Sequence, residues 1–306
     1  MHNSSLDDEA ETRNVFPARD AERSEYMFSS EHGRDDQQGR PLAPIGVFDS
    51  GVGGFTILSA LQRELPQEDY IYIGDTAHNP YGMRSEADIT ELSLNACRFL
   101  IEQGAKLIVV ACNTASQAAL NTLRATFPIP FVGVVPAVKP AARATRRGRI
   151  GVVATNQAAR AAYLRQLIDS FAEGIQVYSV GCPELVALVE QGNFDGPEVE
   201  ETLQRALDPL IAQNVDVIVL GCTHFPALRS AIERVVGKNV QIIDSGAAIA
   251  RRTHAILDAE DLLHPRNLDR AAHSSLQVWC SGDPLAFSKV ASKLLGYSVT
   301  AHQITL

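Results

Sequence analysis

Residues 107–120 read LIVVACNTASQAAL, an apolar run that ends at Cys112 and gives way to a helix-like pattern. Residues 218–228 read IVLGCTHFPAL and repeat this arrangement around Cys222. In both stretches the residues before the cysteine are continuously apolar and largely β-branched, which is typical of a parallel strand that is buried on both faces. Both stretches therefore predict a strand-to-helix junction with a cysteine at the turn.

Short apolar runs alternate with helix-length segments from Ile45 onward. The predicted strands are 45–48, 70–74, 107–112, 131–135, 149–154, 176–181, 215–221, 240–243 and 276–280, and the predicted helices include 86–103, 157–172 and 197–213. This alternation predicts an α/β protein with two doubly wound, pseudo-symmetric domains whose sheets are mainly parallel. Ligands of such sheets bind beyond the carboxyl ends of the strands. We therefore expect the active site in the cleft between the domains.

Composition narrows the class of protein. A length of 306 residues fits about two domains, and a net charge of -9 argues against a nucleic-acid-binding face as the main function. No apolar run approaches the roughly 20 residues of a membrane span, and the first residues lack the basic start and apolar core of a signal peptide. Five scattered cysteines without a C-x-x-C motif do not predict a disulfide framework. We expect a cytoplasmic protein with reduced thiols and with neither a membrane nor a nucleic acid as partner.

Residues 1–43 differ from the rest of the chain. They contain ten acidic residues against five arginines and few apolar residues. Such a segment cannot bury enough apolar surface to offset its ordering entropy, so we predict a disordered acidic extension. A regulatory arm that becomes ordered on binding is the alternative.

Polar side chains follow several predicted strands. They are Asp49-Ser50, Asp75, Cys112-Asn113-Thr114 and Cys222-Thr223-His224. Helix capping explains a single Ser, Thr or Asp at such a junction, but cysteine is a poor cap. The loop DSGVGG at 49–54 matches neither glycine-rich phosphate-binding pattern, and its leading carboxylate would repel a phosphate. We expect its glycines to let the backbone approach a small ligand that Asp49 and Ser50 contact.

Four interpretations of Cys112 and Cys222 remain open on the residues alone. Together with His224 they resemble a zinc ligand set, although paired spacing is missing; they are also compatible with a redox pair, or with one nucleophilic thiol. The fourth interpretation is a pair of acid–base thiols on opposite faces of one carbon, which alone explains two equivalent junctions. A helix N-terminus would lower the pKa of each thiol. The remaining cysteines, Cys97, Cys182 and Cys280, are interpreted as structural.

Six ordered blocks resemble the glutamate racemases, in particular the proteobacterial branch of the aspartate/glutamate racemase family. The blocks are FDSGVGG, GDTAHNPYG, VVACNTAS, VGVVPAVKPA, VLGCTHFPAL and DSGAAIARRT, and they lie between residue 45 and at least residue 254. The resemblance implies racemisation of L-glutamate to D-glutamate for peptidoglycan synthesis, with neither pyridoxal phosphate nor a metal. It also implies a first domain of residues 44–135 and 246–306 and a second domain of residues 136–245.

The resemblance assigns roles to individual residues. Cys112 is expected to take the proton from D-glutamate with help from Asp49, and Cys222 the proton from L-glutamate with help from His224. The implied substrate contacts are Ser50, Pro80, Tyr81, Gly82, Asn113, Thr114 and Thr223. Asp75 and Glu190 align with acidic residues of secondary importance near the site.

The resemblance leaves partners and substrate partly open. The proteobacterial branch implies activation by UDP-N-acetylmuramoyl-L-alanine, which is a hypothesis here, and both a monomer and a homodimer are compatible with the sequence. A racemase of another acidic amino acid such as aspartate, or a non-catalytic regulatory protein on this scaffold, is the alternative function. The sequence departs from the family pattern at Asn156-Gln157-Ala158, so no contact is carried over to that turn. It also departs at His78-Asn79.

Overall fold

The computed structural model describes residues 40–265 and 274–306, which form two parallel sheets. The strands are β1 (Ile45–Asp49), β2 (Tyr70–Gly74), β3 (Leu107–Val110), β4 (Phe131–Gly133), β5 (Arg149–Ala154), β6 (Gln176–Gly181), β7 (Val217–Leu220), β8 (Gln241–Ile243), β9 (Leu276–Cys280) and β10 (Ala301–Gln303). The six-stranded sheet has the order β10-β9-β2-β1-β3-β4 and belongs to the first domain. The four-stranded sheet has the order β6-β5-β7-β8 and belongs to the second domain.

Eleven α-helices connect these strands within the described residues. They are α1 (Phe55–Glu64), α2 (Glu86–Glu102), α3 (Asn113–Thr126), α4 (Val138–Ala144), α5 (Asn156–Arg160), α6 (Ala162–Phe171), α7 (Pro183–Glu190), α8 (Pro197–Ala212), α9 (Arg229–Val236), α10 (Gly246–Ala259) and α11 (Pro284–Leu295). Short 3₁₀ turns lie at Arg40–Leu42, Tyr81–Met83 and Phe225–Leu228. None of these helices has the length and apolar character needed to cross a membrane.

Helices cover both faces of the first sheet. In β1, Val47 packs in a cluster with residues of α1, α10 and α11, whereas the next residue, Phe48, packs in a second cluster with residues of α2 and α3. Strands β2 and β3 alternate between the same two clusters. The second sheet is also buried on two sides, since Val152 and Val153 of β5 belong to different clusters. This double burial explains the continuous apolar runs in the sequence.

The predicted fold class is confirmed, and the differences concern the bounds, continuity and number of elements. The predicted strand 107–112 ends at Val110, because Cys112 already serves as the N-cap of α3. The predicted helix 157–172 is interrupted at Ala161, whose backbone is extended. Strand β10 was not predicted, since its three residues AHQ form no apolar run.

The chain passes between the sheets twice, after β4 and after β8. The Ser245 hydroxyl donates a hydrogen bond of 2.5 Å to the carbonyl of Val135, which joins the two crossings. The domain boundaries near residues 136 and 245 stay a prediction. Disorder was predicted for residues 1–43. Residues 1–39 of this extension lie outside the described part of the chain. From Arg40 the chain forms a 3₁₀ turn, in which the carbonyl of Pro41 accepts a hydrogen bond of 2.6 Å from Lys106.

Candidate active site

A small cavity lies where strands of both sheets end. It is lined by Ser50, Asn79, Pro80, Tyr81, Gly82, Cys112, Asn113, Thr114, Thr155, Val186, Cys222, Thr223 and His224. Its volume is about 20 Å³, which is enough for about one water molecule. The walls must therefore move apart before an amino acid enters. The cavity brings together all seven predicted substrate contacts, both cysteines and His224.

Cys112 lies at the first-domain side of the cavity and is 6% exposed. Its sulfur accepts a hydrogen bond of 3.4 Å from the backbone N–H of Ala115 and lies 3.7 Å from the hydroxyl of Ser50. Burial, followed by the charge of Asp49, raises the pKa of this thiol from 9.0 to about 12, although both hydrogen bonds act to lower it. The N–H at the helix N-terminus acts to lower this pKa as expected, but desolvation of the thiolate outweighs it, so the net direction is opposite to the prediction.

Cys222 belongs to a chain of three side chains in the second domain. Its sulfur lies 3.6 Å from Nδ1 of His224, and Nε2 of His224 lies 2.6 Å from Oε1 of Glu190. Burial acts to lower the pKa of His224, but the charges and hydrogen bonds of Cys222 and Glu190 raise it well above 6.5. The protonated form of His224 is therefore favoured. Unlike Cys112, Cys222 precedes a 3₁₀ turn rather than an α-helix.

Asp49 lies behind the cavity wall and is fully buried. Its carboxylate accepts hydrogen bonds from the backbone N–H of Gly51 at 2.7 Å and from the hydroxyl of Thr223 at 3.0 Å. Burial raises the pKa of this carboxyl from 3.8 to about 6, against the lowering effects of His224 and of the two hydrogen bonds. The charge of Asp49 thus raises the pKa of Cys112. The hydroxyl that donates to Asp49 belongs to Thr223, on the other side of the cleft.

Asp75 supports another part of the wall. Its carboxylate accepts hydrogen bonds of 2.6 Å from the hydroxyls of Tyr81 and Ser281 and lies 2.8 Å from Nδ1 of His78. Since Tyr81 lines the cavity, Asp75 fixes the position of a wall residue.

The loop at 49–54 makes room for residues of the second domain. A Cβ atom at Gly51 would lie 1.9 Å from Oε1 of Glu190, and a Cβ atom at Gly53 would lie 2.4 Å from Nδ1 of His224. Both distances are far below van der Waals contact. The glycines therefore make room for Glu190 and His224, and the approach of a small ligand to this loop stays a prediction.

Replacement of Gly53 by alanine is expected to displace the His224 ring. We expect a loss of about 1–3 kcal/mol in the free energy of unfolding, as for other overpacked sites, and a fall in activity because Cys222 loses its partner. Urea unfolding and turnover of Gly53→Ala measure both effects. Gly246→Ala is the matched control, because a Cβ atom there would have its nearest neighbours at 3.3 and 3.4 Å. Equal behaviour of the two variants would contradict the close approach of His224.

Three lining residues were not predicted from the sequence, namely Asn79, Thr155 and Val186. Thr155 follows β5 and caps α5, and its hydroxyl lies 3.2 Å from that of Thr114. Functional residues often follow strand ends, and this rule identifies Thr155 as a candidate. No contact was carried over to this turn, because the sequence departs from the family pattern at residues 156–158. Val186 is an apolar residue within a helix and gave no signal.

Within residues 40–265 and 274–306, no group of three or more His, Cys, Asp or Glu side chains is arranged to hold a metal ion. Cys112 and Cys222 are both unpaired thiols, and so are the buried Cys97, Cys182 and Cys280.

Comparisons with known proteins identify the family of this chain. The family model for Asp/Glu/hydantoin racemases matches residues 55–253. A glutamate racemase of Pseudomonas putida is 45% identical over 249 residues, which cover 81% of this chain and 92% of the relative. The chain therefore belongs to the Asp/Glu/hydantoin racemase family.

Solved structures of glutamate racemases share the fold. A structure of the Escherichia coli enzyme in complex with L-glutamate and the activator UDP-MurNAc-Ala has a TM-score of 0.75 and 36% identity, covering 86% of this chain and 98% of that one. A structure of the Francisella tularensis enzyme in complex with D-glutamate has a TM-score of 0.75 and 30% identity, with coverage of 87% and 98%. The resemblance to this family is thereby confirmed.

Proposed function

We propose that this chain interconverts L-glutamate and D-glutamate with two thiols and without a cofactor, and so supplies D-glutamate for peptidoglycan synthesis. The observation that carries the proposal is that Cys112 and Cys222, from strand ends of two different sheets, line one cavity. Two bases that face one carbon from opposite sides are what inversion requires. The glutamate racemase relatives support the choice of substrate.

The two thiols begin the reaction in different states. In the direction from L-glutamate, Cys222 acts as the base that takes the Cα proton, with His224 Nδ1 at 3.6 Å from its sulfur. Cys112 enters as the neutral thiol, in keeping with its raised pKa, and gives its proton to the opposite face of the carbanion. D-glutamate follows the same path in reverse, with Cys112 as the base and Asp49 close to it.

The surrounding groups bind the substrate and stabilise the carbanion. Hydroxyls of Ser50 and Thr114 line the cavity and are proposed to hold the carboxylates, whereas the hydroxyl of Thr223 is donated to Asp49. The buried oxygen Oδ1 of Asn113 has no hydrogen-bond partner within the described residues, and we assign it to the ammonium group of the substrate. Closure of the domains excludes water, so that these fixed dipoles act strongly on the developing charge.

Other properties follow from the proposed activity. The enzyme is proposed to act in the cytoplasm and to need neither pyridoxal phosphate nor a metal. The residues that surround the thiols supply the electrostatic stabilisation that a pyridoxal group supplies in other racemases. UDP-N-acetylmuramoyl-L-alanine is proposed as an activator because the Escherichia coli relative was solved with the activator UDP-MurNAc-Ala.

Circular dichroism of the purified, reduced protein tests this function. We expect the signal of L-glutamate and that of D-glutamate each to decay to zero without added pyridoxal phosphate, because enantiomers have equal free energies. Repeating both reactions with UDP-N-acetylmuramoyl-L-alanine measures activation. A folded protein that leaves both signals unchanged, with the nucleotide as well as without it, would contradict the proposal. Decay with aspartate alone would move the activity to that substrate.

A further inference from the structure

One oxygen atom joins the two domains next to the catalytic cysteine of the second domain. Oε1 of Glu190 lies 2.6 Å from Nε2 of His224 in the same domain. The same atom accepts hydrogen bonds from two groups of the first domain, the side-chain amide of Asn79 at 2.6 Å and the backbone N–H of Val52 at 3.0 Å.

We propose that Asn79 is a positioning residue for the racemisation proposed above, and that it acts through Glu190 on His224. We call the contact between Asn79 Nδ2 and Glu190 Oε1 the Asn79–Glu190 clasp. The clasp rests on the proposed function, since it matters for turnover only if Cys222 and His224 carry out proton transfer. Neither the family resemblance nor strand-end position assigned a role to Asn79, which lies where the sequence departs from the family pattern.

The clasp restrains a side chain that would otherwise be mobile. Glu190 is at the last position of α7, and its side chain is 22% exposed. A partly exposed glutamate has several rotamers available, and ordering it costs conformational entropy. The amide of Asn79 is a neutral donor, so it stabilises the charged carboxylate and selects one position for it. His224, which is 3% exposed, then meets a fixed acceptor.

The clasp exists only when the domains are closed. Glu190 and His224 move together with the second domain, whereas Asn79 and Val52 stay with the first. Separation of the domains therefore removes two of the three donors from Oε1 of Glu190 but leaves His224 in place. The fit is tight, because a Cβ atom at Gly51 would lie 2.4 Å from Nδ2 of Asn79 and 1.9 Å from Oε1 of Glu190. Closure thus completes the hydrogen-bonded chain behind Cys222.

Asn79→Ala, Glu190→Gln and the double variant test the clasp, with Asn95→Ala as the matched control. Asn95 lies on α2 and its side chain pairs with Arg98 at an exposed position. We expect Asn79→Ala to lower kcat about tenfold, as the loss of one hydrogen bond to a charged group predicts. The same substitution in the Glu190→Gln background should have a smaller effect, because the acceptor there is neutral, and Asn95→Ala should match the wild type.

Isotope effects on kcat/KM separate positioning from general loosening of the fold. With Cα-deuterated L-glutamate, whose deuterium Cys222 removes, Asn79→Ala should increase the isotope effect, because that step becomes more rate-limiting. With Cα-deuterated D-glutamate, whose deuterium Cys112 removes, the isotope effect should decrease. Isotope effects that change in the same direction, or an equal loss of kcat in both backgrounds, would overturn the proposal.

Urea unfolding of the wild type, the two single variants and the double variant tests the contact without any substrate. We expect the stability effects of Asn79→Ala and Glu190→Gln to be non-additive, as for residues in direct contact. Additive effects would overturn the clasp even in an active racemase. A clear coupling in a protein that does not racemise glutamate would instead overturn the proposed function, and with it the role of the clasp in turnover.

Discussion

Cys112→Ala and Cys222→Ala are each expected to lower the rate of racemisation by about 10²- to 10⁴-fold, the range for loss of a general acid or base. Either substitution leaves a base on only one face of the substrate. Cys222→Ala retains Cys112 and should still exchange the Cα proton of D-glutamate with solvent. Cys112→Ala retains Cys222 and should exchange that of L-glutamate. Proton NMR in D₂O follows exchange, and circular dichroism follows inversion.

The control for both variants is Cys97→Ala. Cys97 is a fully buried thiol on α2 that packs among apolar residues away from the cavity. Its removal should reduce stability modestly and leave turnover close to that of the wild type. Racemisation at the wild-type rate in either active-site variant would show that the reaction does not need two thiols. Loss of exchange from both enantiomers in Cys222→Ala would show that Cys112 is not an independent base.

The sequence predicted which residues lie around the cavity better than it predicted their electrostatics. Strands buried on both faces produce apolar runs that are visible in the sequence, and the residue after each run lies at the carboxyl end of a sheet. This reasoning identified Asp49, Cys112 and Cys222 from local pattern alone. Which strand ends face one another is a property of the tertiary structure, so the contact of Asp49 with Thr223 across the cleft was not foreseen.

Two features of the site have a physical origin that the sequence does not show. A thiol at a helix N-terminus is predicted to have a lowered pKa, but the pKa of Cys112 is raised because the cavity is closed over it. Glycines at 51 and 53 make room for Glu190 and His224, in addition to the predicted approach of a ligand. Burial and close approach between domains depend on residues more than a hundred positions apart, and no local pattern reports them.

Asp49→Asn is expected to inactivate the enzyme and yet stabilise its fold at neutral pH. The folded state raises the pKa of Asp49 from 3.8 to about 6. Ionisation of this carboxyl is therefore more favourable in the unfolded chain, and stability is lost as the pH rises through that interval. Above pH 6 the full cost is present, on the order of 3 kcal/mol. Asparagine has the same shape and keeps an acceptor for the N–H of Gly51.

The pH dependence distinguishes this explanation from a general change in packing. We expect Asp49→Asn to exceed the wild type in free energy of unfolding at pH 8 by up to about 3 kcal/mol, and at pH 4.5 by only about 1 kcal/mol. The sign follows because below pH 3.8 both states of the wild type carry a protonated carboxyl. Asp208→Asn, at an exposed position of α8, should show no such trend. Urea unfolding at the two pH values measures the difference.

Activity and stability are expected to change in opposite directions at Asp49, because the charge that destabilises the fold acts on the reacting groups. Turnover of Asp49→Asn should fall by about 10²-fold or more, as for loss of a group that assists proton transfer. The loss should be seen with either enantiomer, since both pass through the step at Cys112. A variant that is less stable than the wild type at pH 8 would show that the buried carboxylate does not destabilise the fold. A variant that is more stable and fully active would show that the reaction does not depend on the charge of Asp49.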